Sequence, residues 1–114
     1  MPDNLPSLRL REYAVLDERN KFFELIKLFQ LEDYLDKTPG ELAMGQRKKF
    51  AITLTLIRDA DIYIFDEPLV NLDNLSKNLA MDLIFENTNQ KTLIIISHNS
   101  IKNKFDRVIK LERR

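Results

Sequence analysis

The chain has 114 residues, 44% of them hydrophobic and 32% charged, with eighteen basic and eighteen acidic side chains that cancel. That is apolar material for one core in at most one domain, and the neutral balance gives no electrostatic push toward nucleic acid. No cysteine is present and the lone histidine is His98, which excludes disulfides, thiolate sites, cysteine nucleophiles and multi-histidine metal centres and fits a reducing cytosol.

Residues 1–7, with Pro2 and Pro6, read as an irregular entry. Residues 8–17 are ambiguous, with a short helix around 10–16. Over 18–30 the pattern is clearer: Phe22, Leu25, Ile26 and Phe29 recur at helical spacing, Asp17 stands where a cap belongs, and Phe23 and Leu28 widen the stripe. Such a stripe ordinarily faces a core; docking of another helix is its other use.

A short helical turn over 31–37 leads into Thr38-Pro39-Gly40-Glu41, which matches a capping box with Pro39 at the first helical position. A competing start lies a few residues on, and the sequence leaves open whether the box begins the helix or Leu42-Ala43-Met44-Gly45 stays a loop. Over 46–58, Phe50, Ala51, Leu54 and Ile57 share a face, and Ile52 and Leu56 make the second half apolar almost all round. This predicts a largely buried helix whose Arg47-Lys48-Lys49 start is solvated.

Ile62-Tyr63-Ile64-Phe65 is a continuous apolar run, which predicts a strand buried on both faces. It stops at Asp66-Glu67, and Pro68 forbids further ladder bonding. The acidic pair is thus expected at the carboxyl end of a buried strand, where open α/β sheets bind ligands. There one carboxylate can hold Mg²⁺ and the other polarise a water; a plain acidic-proline turn is the alternative. Leu72, Leu75, Leu79 and Leu83 mark a further helix ending near 87–89. A second apolar strand over 92–97 closes on Ser97-His98-Asn99, followed by a short helix over 101–104 and a weaker strand over 107–111. This alternation implies an α/β fold with parallel strands, and it puts Asp66, Glu67 and His98 on one sheet edge.

The two glycines, Gly40 and Gly45, have the spacing of GxxxxGK[ST] by accident, but Gln46-Arg47 follows and no strand precedes, so the stretch is not a phosphate-binding P-loop. No apolar run approaches the ~20 residues that span a bilayer, and the N-terminus is too polar for a signal peptide.

Taken together, Leu42-Ala43-Met44-Gly45-Gln46, the strand ending in Asp66-Glu67-Pro68, Leu72-Asp73 and His98 resemble the C-terminal part of an ABC-type ATPase (ATP-binding cassette) nucleotide-binding domain. That family carries an LSGGQ signature, a Walker B strand ending in Asp-Glu-Pro, a D-loop ending in Leu-Asp, and a switch histidine. Twenty residues separate Gln46 from Asp66, 7 separate Asp66 from Asp73, and 32 separate Asp66 from His98, intervals similar to the family's. Each motif alone is common; four in order carry the resemblance, which covers about residues 42–98.

The resemblance implies a partial P-loop NTPase-like parallel sheet with an α-helical subdomain at the N-terminus, divided into a helical signature subdomain over 1–45 and the C-terminal part of the ATPase core over 46–114. It implies ATP and Mg²⁺ as cofactors. Asp66 would hold the metal through water, Glu67 would be the catalytic base, and His98 would contact the γ-phosphate. Ala43, Met44, Gly45 and Gln46 would form the signature turn whose backbone N–H groups face that phosphate, and Asp73 would reach across a dimer interface. It also implies a second ATPase subunit in a head-to-tail dimer, a membrane-spanning transporter subunit, and a cytoplasmic location peripheral to the membrane through that partner. Phosphoryl transfer suits such a set, because it depends on positioning and charge neutralisation.

Departures are visible. The family's signature Ser is Ala43 here and its first Gly is Met44, and Val70-Asn71 stand where small residues are usual, so a weak or one-sided site is expected. The P-loop, the adenine-stacking aromatic and the Q-loop glutamine have no counterpart. The resemblance therefore implies a chain that starts just after the Q-loop, lacks the final β-hairpin, and needs another chain or segment to supply the P-loop before it turns over ATP. The alternatives are a non-catalytic or split ABC-like interaction module that works beside a partner chain, and an unrelated α/β domain with accidental motifs.

Overall fold

Asp17 organises the first part of the molecule, in a computed structural model that describes residues 8–97. A 3-10 turn over Leu10–Leu16 delivers it, with Leu10 fully buried. The Asp17 carboxylate then accepts the backbone N–H groups of Arg19 at 3.1 Å, Lys21 at 3.1 Å and Phe22 at 2.8 Å. Wrapping 18–21 around one side chain forces Asn20 into the left-handed region (φ 58°), a conformation that asparagine tolerates. The helix, α1, is consequently Phe22–Leu28, shorter than the 18–30 the apolar spacing predicts. Its far end closes at Gln30, also left-handed (φ 60°). Phe22, Leu25 and Ile26 are buried, whereas Phe23 and Leu28 face solvent.

Burial pushes the Asp17 carboxyl up, but the N–H groups of Phe22, Lys21, Arg19 and Asn20 stabilise its anion and bring it below the ordinary 3.8. The sign follows: a depressed folded pKa adds stability above the unfolded value, and that contribution is lost as pH falls through the folded one. The melting temperature is therefore expected to drop below about pH 4, and Asp17→Asn to flatten part of that drop. Identical acid limbs in the two proteins would remove Asp17 as a contributor.

The Thr38 box and the later start both exist. Glu41 Oε1 accepts the Thr38 N–H at 2.8 Å, but the box opens only a 3-10 turn, Pro39–Glu41. The chain then extends through Leu42 and Ala43, and α2 runs Met44–Leu56. Its buried residues are Phe50, Ile52, Thr53 and Leu56, followed by buried Ile57 at its C-cap, while Ala51 is exposed and Leu54 only partly covered. Thr53 is admitted to the core because its hydroxyl donates to the Lys49 carbonyl at 3.0 Å. Phe50 meets Tyr13 and Phe22 edge-on, with ring centroids 5.3 and 6.4 Å apart. Arg47 is not simply solvated: its Nη2 reaches back to the Leu42 carbonyl at 3.3 Å.

The last turn of α2 is tied to the start of the helical region. The Glu18 N–H donates to the Ile57 carbonyl at 2.9 Å, and Glu18 Oε1 accepts Arg58 Nε at 2.9 Å and the Asp59 N–H at 3.1 Å. Arg19 Nη1 donates to the Leu56 carbonyl at 3.0 Å and to Tyr63 Oη at 3.2 Å, with its guanidinium 5.7 Å from the centre of the Tyr63 ring. Tyr63 Oη in turn donates to the Arg58 carbonyl.

Tyr63 lies in β1, Ile62–Asp66, which pairs in parallel with β2, Thr92–Ile96, in the register Ile62↔Thr92 to Asp66↔Ile96. The connecting helix α3 is Asn74–Asn87. Tyr63 and Phe65 point into the core with Leu93 and Ile95. Ile62, Ile64 and Ile94 lie on the opposite face and remain 54%, 56% and 38% exposed. The expected burial on both faces is therefore not found: among the described residues the helices cover one side of a two-stranded sheet. In α3 the buried stripe is Ala80, Met81, Leu83 and Ile84, with Leu75 84% exposed, because the first turn projects past the core. The predicted short helix over 101–104 and strand over 107–111 lie outside the described residues. No helix among the described residues is long and apolar enough to cross a membrane.

Candidate functional site

β1 ends at Asp66, whose register partner in β2 is Ile96. The Glu67 N–H then donates to the Ile96 carbonyl at 2.7 Å, extending the ladder one step while the chain turns away. Glu67 is left-handed (φ 49°), which costs a non-glycine residue about 1–2 kcal/mol. The strand hydrogen bond on one side and buried Pro68 on the other hold it there. Asp66, exposed, and Glu67, half-buried, thus leave the sheet at its carboxyl edge, beside the end of β2. His98 lies just past Ser97, outside the described residues.

The loop returns through Asn71, left-handed (φ 72°), to buried Leu72 and to Asp73. Asp73 caps α3: its Oδ1 accepts the Ser76 N–H at 2.7 Å. That N–H, seconded by the Ser76 hydroxyl and then by the charge of Lys49, outweighs desolvation and holds the carboxyl below the usual aspartate value. Lys49 lies in the second turn of α2, close enough to the start of α3 for its charge to be felt there. Gly45 completes the junction, since a Cβ there would lie 3.1 Å from the Asn71 carbonyl oxygen.

Ala43 is the N-cap of α2 in extended backbone (φ −64°, ψ 162°). Its N–H donates to Gln46 Oε1 at 2.9 Å, but its methyl group offers no acceptor to the N–H groups of the first turn. Met44 stands 65% exposed beside them. Ala43→Ser adds the missing acceptor and is expected to raise stability by about 1 kcal/mol, read as a higher urea midpoint with an unchanged slope. A lower midpoint would contradict the cap geometry.

The structure therefore brings Gly45, which shares the start of α2 with Ala43, Met44 and Gln46, against the loop that follows Asp66 and Glu67, and sets Asp73 at that loop's exit. Sequence reasoning missed Lys49 and Asn71; an asparagine between a proline turn and a helix cap is the signal that a left-handed residue was required. Among the described residues no cluster of three or more His, Cys, Asp or Glu side chains could cage a metal. A pair of carboxylates on a strand end instead suits Mg²⁺, which keeps waters and shares its sphere with a nucleotide's phosphates.

A family model described as ABC transporter matches residues 2–70. Among curated proteins, the lipoprotein-releasing system ATP-binding protein LolD of Buchnera aphidicola is 35% identical over 97 residues, 83% of this chain and 42% of that protein. The chain spans less than half the length of the first curated relatives it matches. Among solved structures, an archaeal ribosome recycling factor in complex with a ribosomal stalk protein superposes with a TM-score of 0.75 at 29% identity, over 82% of this chain and 18% of that one. An ABC transporter ATP-binding protein from Pyrococcus furiosus, described as putative, shares the fold with a TM-score of 0.74 at 24% identity, over 97% of this chain and 60% of that one.

Proposed function

The chain belongs to the ABC transporter family, and from that premise we propose that it is the C-terminal part of an ATP-binding and ATP-hydrolysing transporter subunit. The observation that carries this reading is the convergence of the acidic strand end with the amino end of α2, joined at Gly45 and Asn71. A helix start turns unpaired N–H groups outward, where they attract phosphate. Carboxylates at the adjoining sheet edge suit the metal and the water that the same phosphate needs.

In this reading Asp66 would hold Mg²⁺, and the metal would neutralise phosphate charge. Glu67 accepts a proton from the attacking water. The backbone of residues 43–46 faces the γ-phosphate, Asp73 fixes the loop exit and faces a second ATPase subunit, and His98, which follows β2 in the sequence, is the residue that contacts the γ-phosphate. Residues 1–45 serve as the helical subdomain and 46–114 as part of the ATPase core, in a cytoplasmic assembly docked on a membrane-spanning partner. A P-loop comes from another segment or chain. The names of curated relatives, LolD and the energy-coupling factor protein EcfA3 of Oenococcus oeni among them, support ATP binding in transport. One feature favours a second reading, a non-catalytic module: the α2 start has no hydroxyl at Ala43 and carries exposed Met44.

The test is hydrolysis by the 114-residue chain alone and by the same chain joined to a GxxxxGK[ST]-bearing half from a relative. Activity only in the joined protein is expected. Measurable turnover by the chain alone would overturn the requirement for a P-loop, and a folded joined protein that binds ATP without hydrolysing it would favour the non-catalytic module.

A further inference from the structure

Gly45 sits inside the first turn of α2, and no glycine among the described residues has positive φ. Its backbone is therefore one that any residue adopts, and glycine is the poorest helix former after proline. Conformation does not explain it. Space does: a Cβ at this position would lie 3.1 Å from the Asn71 carbonyl oxygen and 4.0 Å from Leu72 Cδ2, the first distance being tighter than side chains ordinarily accept.

The carbonyl has little freedom to retreat. Asn71 is left-handed (φ 72°), Leu72 behind it is 8% exposed and its N–H donates to the Leu69 carbonyl at 3.2 Å, and Asp73 is committed to Ser76 at 2.7 Å. On the other side, Gly45 is held by α2, whose Phe50 and Ile52 are buried.

We infer that Gly45 is a positioning residue that acts through Asn71 within the same chain, keying the start of α2 to the loop over 67–73 so that the two move as one body. Its glycine identity answers to this chain's own loop, before any nucleotide is bound. The consequence for turnover rests on the function proposed above: whatever shifts the α2 start also shifts the backbone that carries Glu67. The contact itself does not depend on that reading.

A double-mutant cycle on the nucleotide-free 114-residue chain tests the contact, because Asn71→Gly keeps the carbonyl but widens the backbone conformations open to residue 71, so that the loop can withdraw it. Gly45→Ala in the parent is expected to lower the melting temperature by about 5 °C. In the Asn71→Gly background the same substitution is expected to leave it unchanged or raise it, as the helix gains alanine's propensity. Failure to fold in the parent but not in the Asn71→Gly background supports the inference equally. The same shift, or the same failure, in both backgrounds overturns it.

In the joined protein, Gly45→Ala is expected to lower kcat about tenfold with KM for ATP little changed, and Asn71→Gly to restore part of the loss. An unchanged kcat, or a loss that Asn71→Gly does not relieve, overturns the positioning role. If no joined form hydrolyses ATP, the proposed function fails while the melting cycle still decides the contact.

Discussion

Replacing Glu67 by glutamine in the joined protein is expected to reduce ATP turnover about a thousandfold while leaving ATP binding intact. The amide preserves the shape of the side chain and its capacity to orient a water through one oxygen, but it cannot take the proton that the water must lose. The backbone argument points the same way. Glu67 occupies a left-handed conformation (φ 49°), held by its N–H on the Ile96 carbonyl at 2.7 Å, and an outlier of this kind persists where the surroundings over-determine it. Glutamine bears the same backbone cost, so the folded structure should be unchanged and the loss purely chemical. Single-turnover hydrolysis beside equilibrium ATP binding separates the two; undiminished hydrolysis removes Glu67 as the base.

Phe50→Ala is expected to cost about 3–5 kcal/mol, a large share of the 5–15 kcal/mol typical of a natural domain. Phe50 is 2% exposed and is the ring shared by two edge-on pairs, to Tyr13 and to Phe22. It fastens the Leu10–Leu16 turn and α1 to α2, so the cavity would open where three elements meet. Phe50→Leu should lose much less, since most of the volume remains. Urea denaturation of the two variants checks this, and a Phe50→Ala cost under about 1 kcal/mol would mean that the site collapses around the gap.

The identity of each major element within residues 8–97 was legible because their periods are strong: two apolar runs for the strands, and helical spacing around Phe22, Phe50 and Leu83. Asp17 was legible as a carboxylate that serves the start of α1, although the N-cap position itself is Lys21. Its reach was not, since three backbone bonds to one carboxylate leave no trace in hydrophobic spacing, and they cost α1 its first turn. β1 was misjudged on one face, because an apolar run looks the same whether its second side is covered by this chain or by something else. The leucine ladder over 72–83 named the helix and most of its inner side, with Leu72 and Leu83 buried and Leu79 packed on the core, but not the exposure of Leu75 or the burial of Ala80 and Met81. At the candidate site, Asp66-Glu67 announced itself through the strand that stops there. Gly45 stood out only as part of a motif, and its distance to Asn71 depends on two loops that no local pattern brings together.

Ile62, Ile64 and Ile94, side by side in water on the open face of the sheet, set terms for how this polypeptide can be made. Aliphatic side chains left exposed beside a sheet edge are what chaperones retain and what neighbouring molecules adhere to. Expression without a covering segment should lower the soluble yield, and coexpression with one should raise it before any catalysis is measured.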